Sequence, residues 1–497
     1  MTDPNRTNQT PLSRRTFLQR LGGFAATLLL SRCATADRAE PETATDTVAS
    51  SSTAAASPTP VLTPTRTPSP APTLASNTIG TGRGVHPGRV VWAHDPLVTR
   101  WSGRGGPWWT EEALDPGGVA EMLSQSLRAL TEVDDDAAAW NQLFAYSNST
   151  RGRGDSGYSP GQKIAIKLNL NVVSTRAYNG LGAFSAPPLV AALVSQLVQN
   201  AGVPASAITL YDATRVIPEA ITERCEVPEF EGLRFVDWAG GAGREQYRRD
   251  PNALVTWSGD VQGNPTYLPT CVTEADYLIN LASLRGHTLA GITLCGKNHF
   301  GTICADLDGA PTRMAPQGAD IHGTVAAHDF GGTDPAWTWS QRPMGSYNAI
   351  VDLMAHPHLG GKTLLHMLDG FYVAQDQNSS VKPDCRWESS PFNGHWTSSL
   401  FLSQDEVAID SVGLDFIRNE PSLLRLHNVM PPNSTCENYL HEAALIGDPP
   451  SGITYDPDAS GLTVTSLGVH DHWDGADTRR YGRNLGASEG IELVAVR

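Results

Sequence analysis

The sequence predicts an α/β fold: a mainly parallel central sheet with helices on both faces, long irregular loops, and a C-terminal extension packed on the same domain. Three observations predict it. QKIAIKLNLN, PPLVAALVSQLVQNAGVP and ITLYDATR read in that order as strand, helix and strand, and a βαβ unit makes its strands parallel. ADYLINLAS is a near-continuous apolar run with the length of a strand buried on both faces. GKTLLHMLDG and SSLFLSQDEVAIDSVGLDFI then read as a strand and as a strand running into a helix.

Taken in order, the chain opens on an address. Ser13-Arg14-Arg15-Thr16-Phe17-Leu18-Gln19 precedes the apolar run LGGFAATLLL, the pattern of a twin-arginine export signal, and the run is too short for a membrane span. Residues 1–36 are assigned to that signal, which places the body outside the cytoplasm, periplasmic or otherwise extracytoplasmic. Ala34-Thr35-Ala36 offers a cleavage site, whereas Cys33 offers a lipidation site and a membrane tether. Both alternatives stay open. Residues 37–84 are Ser, Thr, Pro and Ala with almost no large apolar side chain. Such a segment buries too little surface to offset its ordering entropy and reads as a disordered linker.

The body spans 85–497, with 421–497 as the extension. RVVWAHD reads as a first strand ending in His94 and Asp95, and the loop WSGRGGPWW presents Trp101, Trp108 and Trp109 as a lid or a sugar-stacking surface. Val119–Leu130 has helical spacing. The helix opening at Pro187-Pro188 repeats apolar residues at three- and four-residue steps, with Gly202 to end it. The strand begun at ADYL is expected to close on Arg285, Gly286 and His287, with helical spacing from there to Lys297. Residues 302–345 show little periodicity but hold His322, His328, Asp329, Trp337 and Trp339. An irregular loop of that length inside a compact domain is usually functional, and it is expected to drape over a crevice.

Lys and Arg number 36 against 52 Asp and Glu, for a net charge of −16. An acidic body without a basic run repels phosphate backbones, which argues against nucleic acid and for a small-molecule partner. The cysteines Cys33, Cys225, Cys271, Cys295, Cys304, Cys385 and Cys436 include no C-x-x-C pair, so neither an iron–sulfur cluster nor a ribbon-type zinc site is expected. Six cysteines besides Cys33 in an exported chain leave room for disulfides of unstated pairing.

In a parallel sheet the carboxyl ends of the strands share one edge, and ligands bind in the crevice outside it. Lys167 with Asn169, Asp212, His287, Asp369 and Asp405 each fall at or just past such an end. The candidate catalytic residues are His287, Lys297, His299, Asp212, Asp369 and Asp405, as groups that handle protons or charge. Lys167, Asn169, Arg285 and Asn298 are the candidate substrate-binding residues, the cations holding anionic or carbonyl oxygens. Taken singly, Asp405 also suits a helix N-cap, and Asp212 and Asp369 also suit turns.

Twelve of the 14 histidines lie between 287 and 472. His470 and His472 follow the strand-like LTVTSLGV, where positions two apart share a face. His441 and Glu442 lie on the helix ENYLHEAAL, where Glu437 and His441 are four apart on one face. His470, His472, His441 and Glu442 are therefore candidate ligands for a divalent ion, zinc or a non-haem transition metal. The other reading is a set of hydrogen-bonded histidines sealing the tail to the body. The tail is expected to turn them toward the crevice near His287 or His299.

IAIKLNLN, the βαβ unit to YDAT, ADYLINLASLRGH, KNHFG, MLDG and SQDEVAID follow one another as in the domain of unknown function 362 family, which the chain resembles over roughly 160–420. The resemblance implies an α/β protein of unassigned activity. Some members carry ferredoxin-type cysteine clusters, which this chain lacks, and members often show Lys-Thr-His where it has Arg285-Gly286-His287. The C-terminal tail is similar to those of some exported members. Two classes of function remain. One is an exported enzyme acting on a small anionic or sugar-derived substrate, with a divalent metal as a further option. The other is a membrane-tethered protein that holds such a ligand without turnover.

Overall fold

The computed structural model describes residues 78–263, 265–305, 321–327, 340–426, 435–461 and 464–497. The export signal, Cys33, most of the linker, and His328, Asp329, Trp337 and Trp339 lie outside the described residues. The α/β fold expected from the sequence is the one observed. Its centre is a nine-stranded sheet whose strands, in chain order, are β1 (Arg89–His94), β2 (Ile164–Lys167), β3 (Ile208–Asp212), β4 (Arg234–Asp237), β5 (Glu245–Gln246), β6 (Tyr277–Ser283), β7 (Thr363–Gly370), β8 (Ser399–Ser403) and β9 (Glu492–Val496). They lie side by side in the order β9–β1–β8–β7–β6–β2–β3–β4–β5.

Eight strands run parallel and β8 runs against them. The cause lies upstream of β8. Residues 371–398 leave β7 at its carboxyl end and return to the same edge, where Ser398 N donates to Phe371 O at 3.1 Å and Asp95 N donates to Ser398 O at 3.2 Å. A strand entered from that edge has to run back toward the other. Asp405, expected at the shared carboxyl edge, therefore sits at the opposite one, since Ser403 pairs with His366 and Ser399 with Gly370. There it caps the helix that follows, accepting from Ala408 N at 2.9 Å.

Helices cover both faces. α1 (Pro116–Thr131), α2 (Asp136–Thr150), α3 (Pro187–Ser195) and α4 (Glu219–Cys225) pack on one, and α5 (Cys295–Asn298), α6 (Ala349–Ala355), α7 (Glu406–Arg418) and α8 (Asn438–Ala444) on the other. Strand periodicity divides the core between them: Val91 and Ala93 of β1 join the first face, Val90 and Trp92 the second. Asp115, Asp135 and Asn348 cap α1, α2 and α6 through their side chains. α3 begins on its two prolines and runs into a π turn at Gln196–Asn200, and Gly202 beyond it takes φ +70°.

Four local expectations change. The expected linker boundary at 84 moves toward the N-terminus, because Ile79–Gly80 pairs with Val469–His470 and Arg83 N donates to Asp405 Oδ2 at 2.8 Å. Those bonds reach more than three hundred residues along the chain, which composition does not register. The tryptophan loop is core and not lid: Trp101, Trp108 and Trp109 are buried, and Trp101 stacks on Trp396 at 5.5 Å. Arg285–His287, expected to close the ADYL strand, forms its own hairpin strand with Gly291–Thr293, where helical spacing was expected. Cys225, Cys271, Cys295, Cys385 and Cys436 are buried cysteines joined in no disulfide among the described residues. Among the described residues no helix is long and apolar enough to cross a membrane.

Candidate functional site

The chain crosses from β2 to β3 in one direction along the sheet and from β6 to β7 in the other. The neighbours β2 and β6 thus mark the switch point of the sheet, and a crevice opens at their carboxyl ends, where open α/β sheets bind ligands. An inner cavity of about 210 Å3 is lined by Lys167, Asn169, Asp212, Arg285, His287, Lys297 and Asn298, with Thr214, Arg215 and His322 among its other walls. It adjoins an outer cleft of about 450 Å3 that shares Asn171, Arg215, His287, His322 and Gln377.

Lys167 ends β2 and is 1% exposed. Its Nζ donates to Asp212 Oδ2 at 2.9 Å and to the carbonyl of Leu168. Asp212 ends β3, and its other oxygen accepts from Thr214 N at 2.8 Å and Arg215 N at 3.0 Å. Gly301 leaves room for this pair, because a Cβ there would lie 2.6 Å from Lys167 Nζ. Asn169 accepts from Arg285 and donates to Asn298 Oδ1 at 2.9 Å, and Asn298 donates to Asn280 Oδ1 at 2.8 Å. Asn298 and Lys297 ride on the short helix α5, whose first amides are gripped from α7: Asp410 accepts from Cys295 N at 2.8 Å and from Gly296 N at 2.9 Å.

Charge in the cavity is lopsided. Lys167, Arg215, Arg285 and Lys297 line it, and among the described residues Asp212 is the one carboxylate set against them. Burial, then Arg215, Arg285 and Lys167, push the Lys297 ammonium well below the usual lysine range. Burial also lowers Lys167, although Asp212 opposes the shift. Lys297 Nζ lies 3.4 Å from His322 Nε2 and over the Phe300 ring. Burial followed by Lys297 brings His322 down to about 3 and His287 well below its ordinary value. Nδ1 of His287 accepts from the amides of Leu289 at 3.1 Å and Ala290 at 3.2 Å. A neutral imidazole so held keeps its proton on Nε2 and is a hydrogen-bond donor.

Of the candidate residues, Lys167, Asn169, Asp212, Arg285, His287, Lys297 and Asn298 line one cavity. His299 does not: its Nε2 lies 3.0 Å from Glu406 Oε1 and 3.3 Å from Asn280, fully buried in the core. Asp369 sits behind the cavity, accepting from Ala186 N at 2.7 Å and Phe371 N at 3.2 Å, and burial raises it to about 6. Asp405 caps α7 at the far edge. Neither His441, His470 nor His472 lines the crevice. His470 and His472 lie against α7, bonded to Ser411 and Asp415. Glu442, the expected carboxylate, is instead turned to Ser451 and Tyr455, and Glu437 one turn before His441 stands beside the histidines in its place.

Thr214 and Arg215 close the segment ITLYDATR and His322 belongs to the long loop, and the sequence assigned none of the three a role. Asn280, Asp410 and Gln377 were passed over. Asn280 had a signal, a lone amide inside the apolar run LINLAS. Gln377 had none, since it comes from the excursion between β7 and β8. No curated protein and no solved structure matches the chain. A family model described as "Domain of unknown function (DUF362)" matches residues 164–415, a span holding every strand end that builds the cavity, and the chain belongs to that family.

Proposed function

We propose that the crevice binds a small molecule through an anionic group, carboxylate or phosphate, and that the protein is an enzyme doing acid–base chemistry on it. One observation carries the reading: among the described residues four basic side chains face one carboxylate in a buried cavity at the switch point of the sheet. An anion completes that charge balance, and in a water-poor site each contact is worth more than on the surface. Arg215 and Arg285 hold the anionic oxygens as cations, and Lys297, as the free amine, donates an N–H to them. His287 donates from Nε2 to an oxygen that gains charge. Lys297, held toward its free-amine form among other cations, accepts the proton. Lys167 is already committed to Asp212 and sets the floor of the cavity.

Calorimetric titration with inorganic phosphate and with small 2-oxo acids tests binding, and solvent-deuterium exchange at the carbon beside the oxo group tests turnover. One saturable site with exchange is expected. Asp212→Asn keeps the acceptor oxygen for Thr214 and Arg215 but removes the opposing charge, so affinity should rise by about thirtyfold, from a Coulomb term of about 2 kcal/mol at an effective dielectric of 20. Binding without exchange, at any substrate in the panel, would assign the tethered ligand-binding alternative. Absence of anion binding would sink both readings.

The arginine pair in the N-terminal segment supports export by the twin-arginine route, to a cleaved periplasmic form or to a form tethered at Cys33. Fractionation of cells carrying Arg14→Lys with Arg15→Lys tests the route, and retention of the variant in the cytoplasm is expected. Mass measurement of the exported chain separates cleavage from lipidation.

A further inference from the structure

We propose that Glu437, His470 and His472 form a binding site for one divalent transition metal ion of the zinc class, which fastens the C-terminal extension to α7 and α8. Each of the three offers a ligand atom, and these atoms lie within 4.8 Å of one another. Tetrahedral zinc holds its nitrogen and oxygen ligands at about 2.0–2.2 Å, so small side-chain rotations close the site. The residues come from two places in the chain. Glu437 immediately precedes α8, and the histidines belong to the tail segment that pairs with Ile79–Gly80.

The outer partners are those a metal site needs. Nδ1 of His472 lies 2.8 Å from Asp415 Oδ1, and Nδ1 of His470 lies 2.8 Å from Ser411 Oγ, both on α7. With those nitrogens engaged, Nε2 of each ring is the free ligand atom, and Nε2 of His472 is 3.3 Å from Glu437 Oε2. A carboxylate behind a histidine fixes its tautomer and orientation and raises its basicity toward a metal. The ring centroid of His441 lies 4.7 Å from that of His470, and the centroids of His470 and His472 are 4.8 Å apart. His441 or water takes the fourth position.

Asp415 Oδ1 and Glu437 Oε2 face the two ring nitrogens of His472 at 2.8 Å and 3.3 Å, a geometry that holds a proton on each. Metal binding proceeds with proton release: the ion takes Nε2 of His472, that nitrogen gives up its proton to water, and no oxidant or reductant is involved. Arg418, 2.8 Å from Glu437 Oε2, turns aside or keeps one oxygen while the ion takes the other. None of these residues lines the crevice, so the site is independent of the crevice chemistry and structural in kind.

The test uses the full chain, stripped with chelator and titrated with Co2+ near neutral pH. One equivalent should bind with the visible d–d bands of a tetrahedral site, release about one proton in weak buffer, and raise Tm by a few degrees. His470→Asn and His472→Asn should each weaken binding at least about a hundredfold, and Asp415→Asn by about 10–100-fold as an outer partner. Glu442→Gln should leave binding unchanged. If a variant does not fold, the wild-type titration with its bands and proton count still decides. No stoichiometric Co2+ in the wild-type protein, or binding that survives the double change at His470 and His472, overturns the proposal. A lowered Tm in His472→Asn with no metal bound to the parent assigns the cluster to a plain ion-pair seal.

Discussion

Lys297→Met exchanges a buried amine for an apolar side chain of similar length, and the expected product is a more stable protein that no longer takes anions. Lys297 is 8% exposed, and no carboxylate among the described residues forms an ion pair with it. Its neighbours are His322 Nε2 at 3.4 Å and the Phe300 ring, with further cations around it. In the empty crevice the charged form suffers both desolvation and repulsion. Replacing buried charges by well-packed apolar groups is neutral or stabilising by about 1–4 kcal/mol. With an unfolding entropy of about 2.1 cal/mol/K per residue, a body of this size shifts by roughly 1 °C per kcal/mol, so Tm should rise by about 1–4 °C. Lys167→Met is the contrast. Its removal leaves Asp212 Oδ2 buried without its partner at 2.9 Å, which costs about 3–5 kcal/mol and lowers Tm by a similar number of degrees. Scanning calorimetry of the wild type and both variants, with and without phosphate, measures the two effects together. Equal losses at both lysines would falsify the argument, as would an anion-induced Tm shift that survives in Lys297→Met.

Two further outcomes follow from the same geometry. Asp405→Ala removes the acceptor of Ala408 N, Arg83 N and Val469 N, so denaturant unfolding should show a loss of about 3 kcal/mol, while anion affinity stays unchanged because Asp405 is at the far edge. His322, held at about 3 by burial and then Lys297, lies below its ordinary 6.5, so between those values the unfolded chain binds more protons. Stability should therefore fall as pH drops through that window. Anion binding, which raises the histidine, should take up protons there. His322→Gln should flatten the slope of stability between about pH 4 and 6.5, and an unchanged slope would remove His322 from the titration.

The sequence by itself determined the elements, the mostly parallel order of the sheet, and most of the cavity. Lys167, Asp212 and Asn169 are readable because a parallel strand puts its last residues at a shared edge, and strand and direction are both local facts. Glu437 was readable too: it precedes His441 by one helical turn, whereas Glu442 is rotated about 100° from that histidine and faces Tyr455. Tertiary structure decided the rest. The direction of β8 depends on where residues 371–398 re-enter the sheet, so Asp405 moved to the other edge with no change in its local pattern. His299 turns inward because Asp410 fixes the start of α5 and Glu406 receives the ring, both more than a hundred positions away. Asp369 is drawn from the cavity by the amide of Ala186, another distant group. The side chains that the sequence misplaced are those whose partners lie far along the chain. Strand and helix periods report which face a residue takes within its own element, and only the packed fold reports what waits on that face.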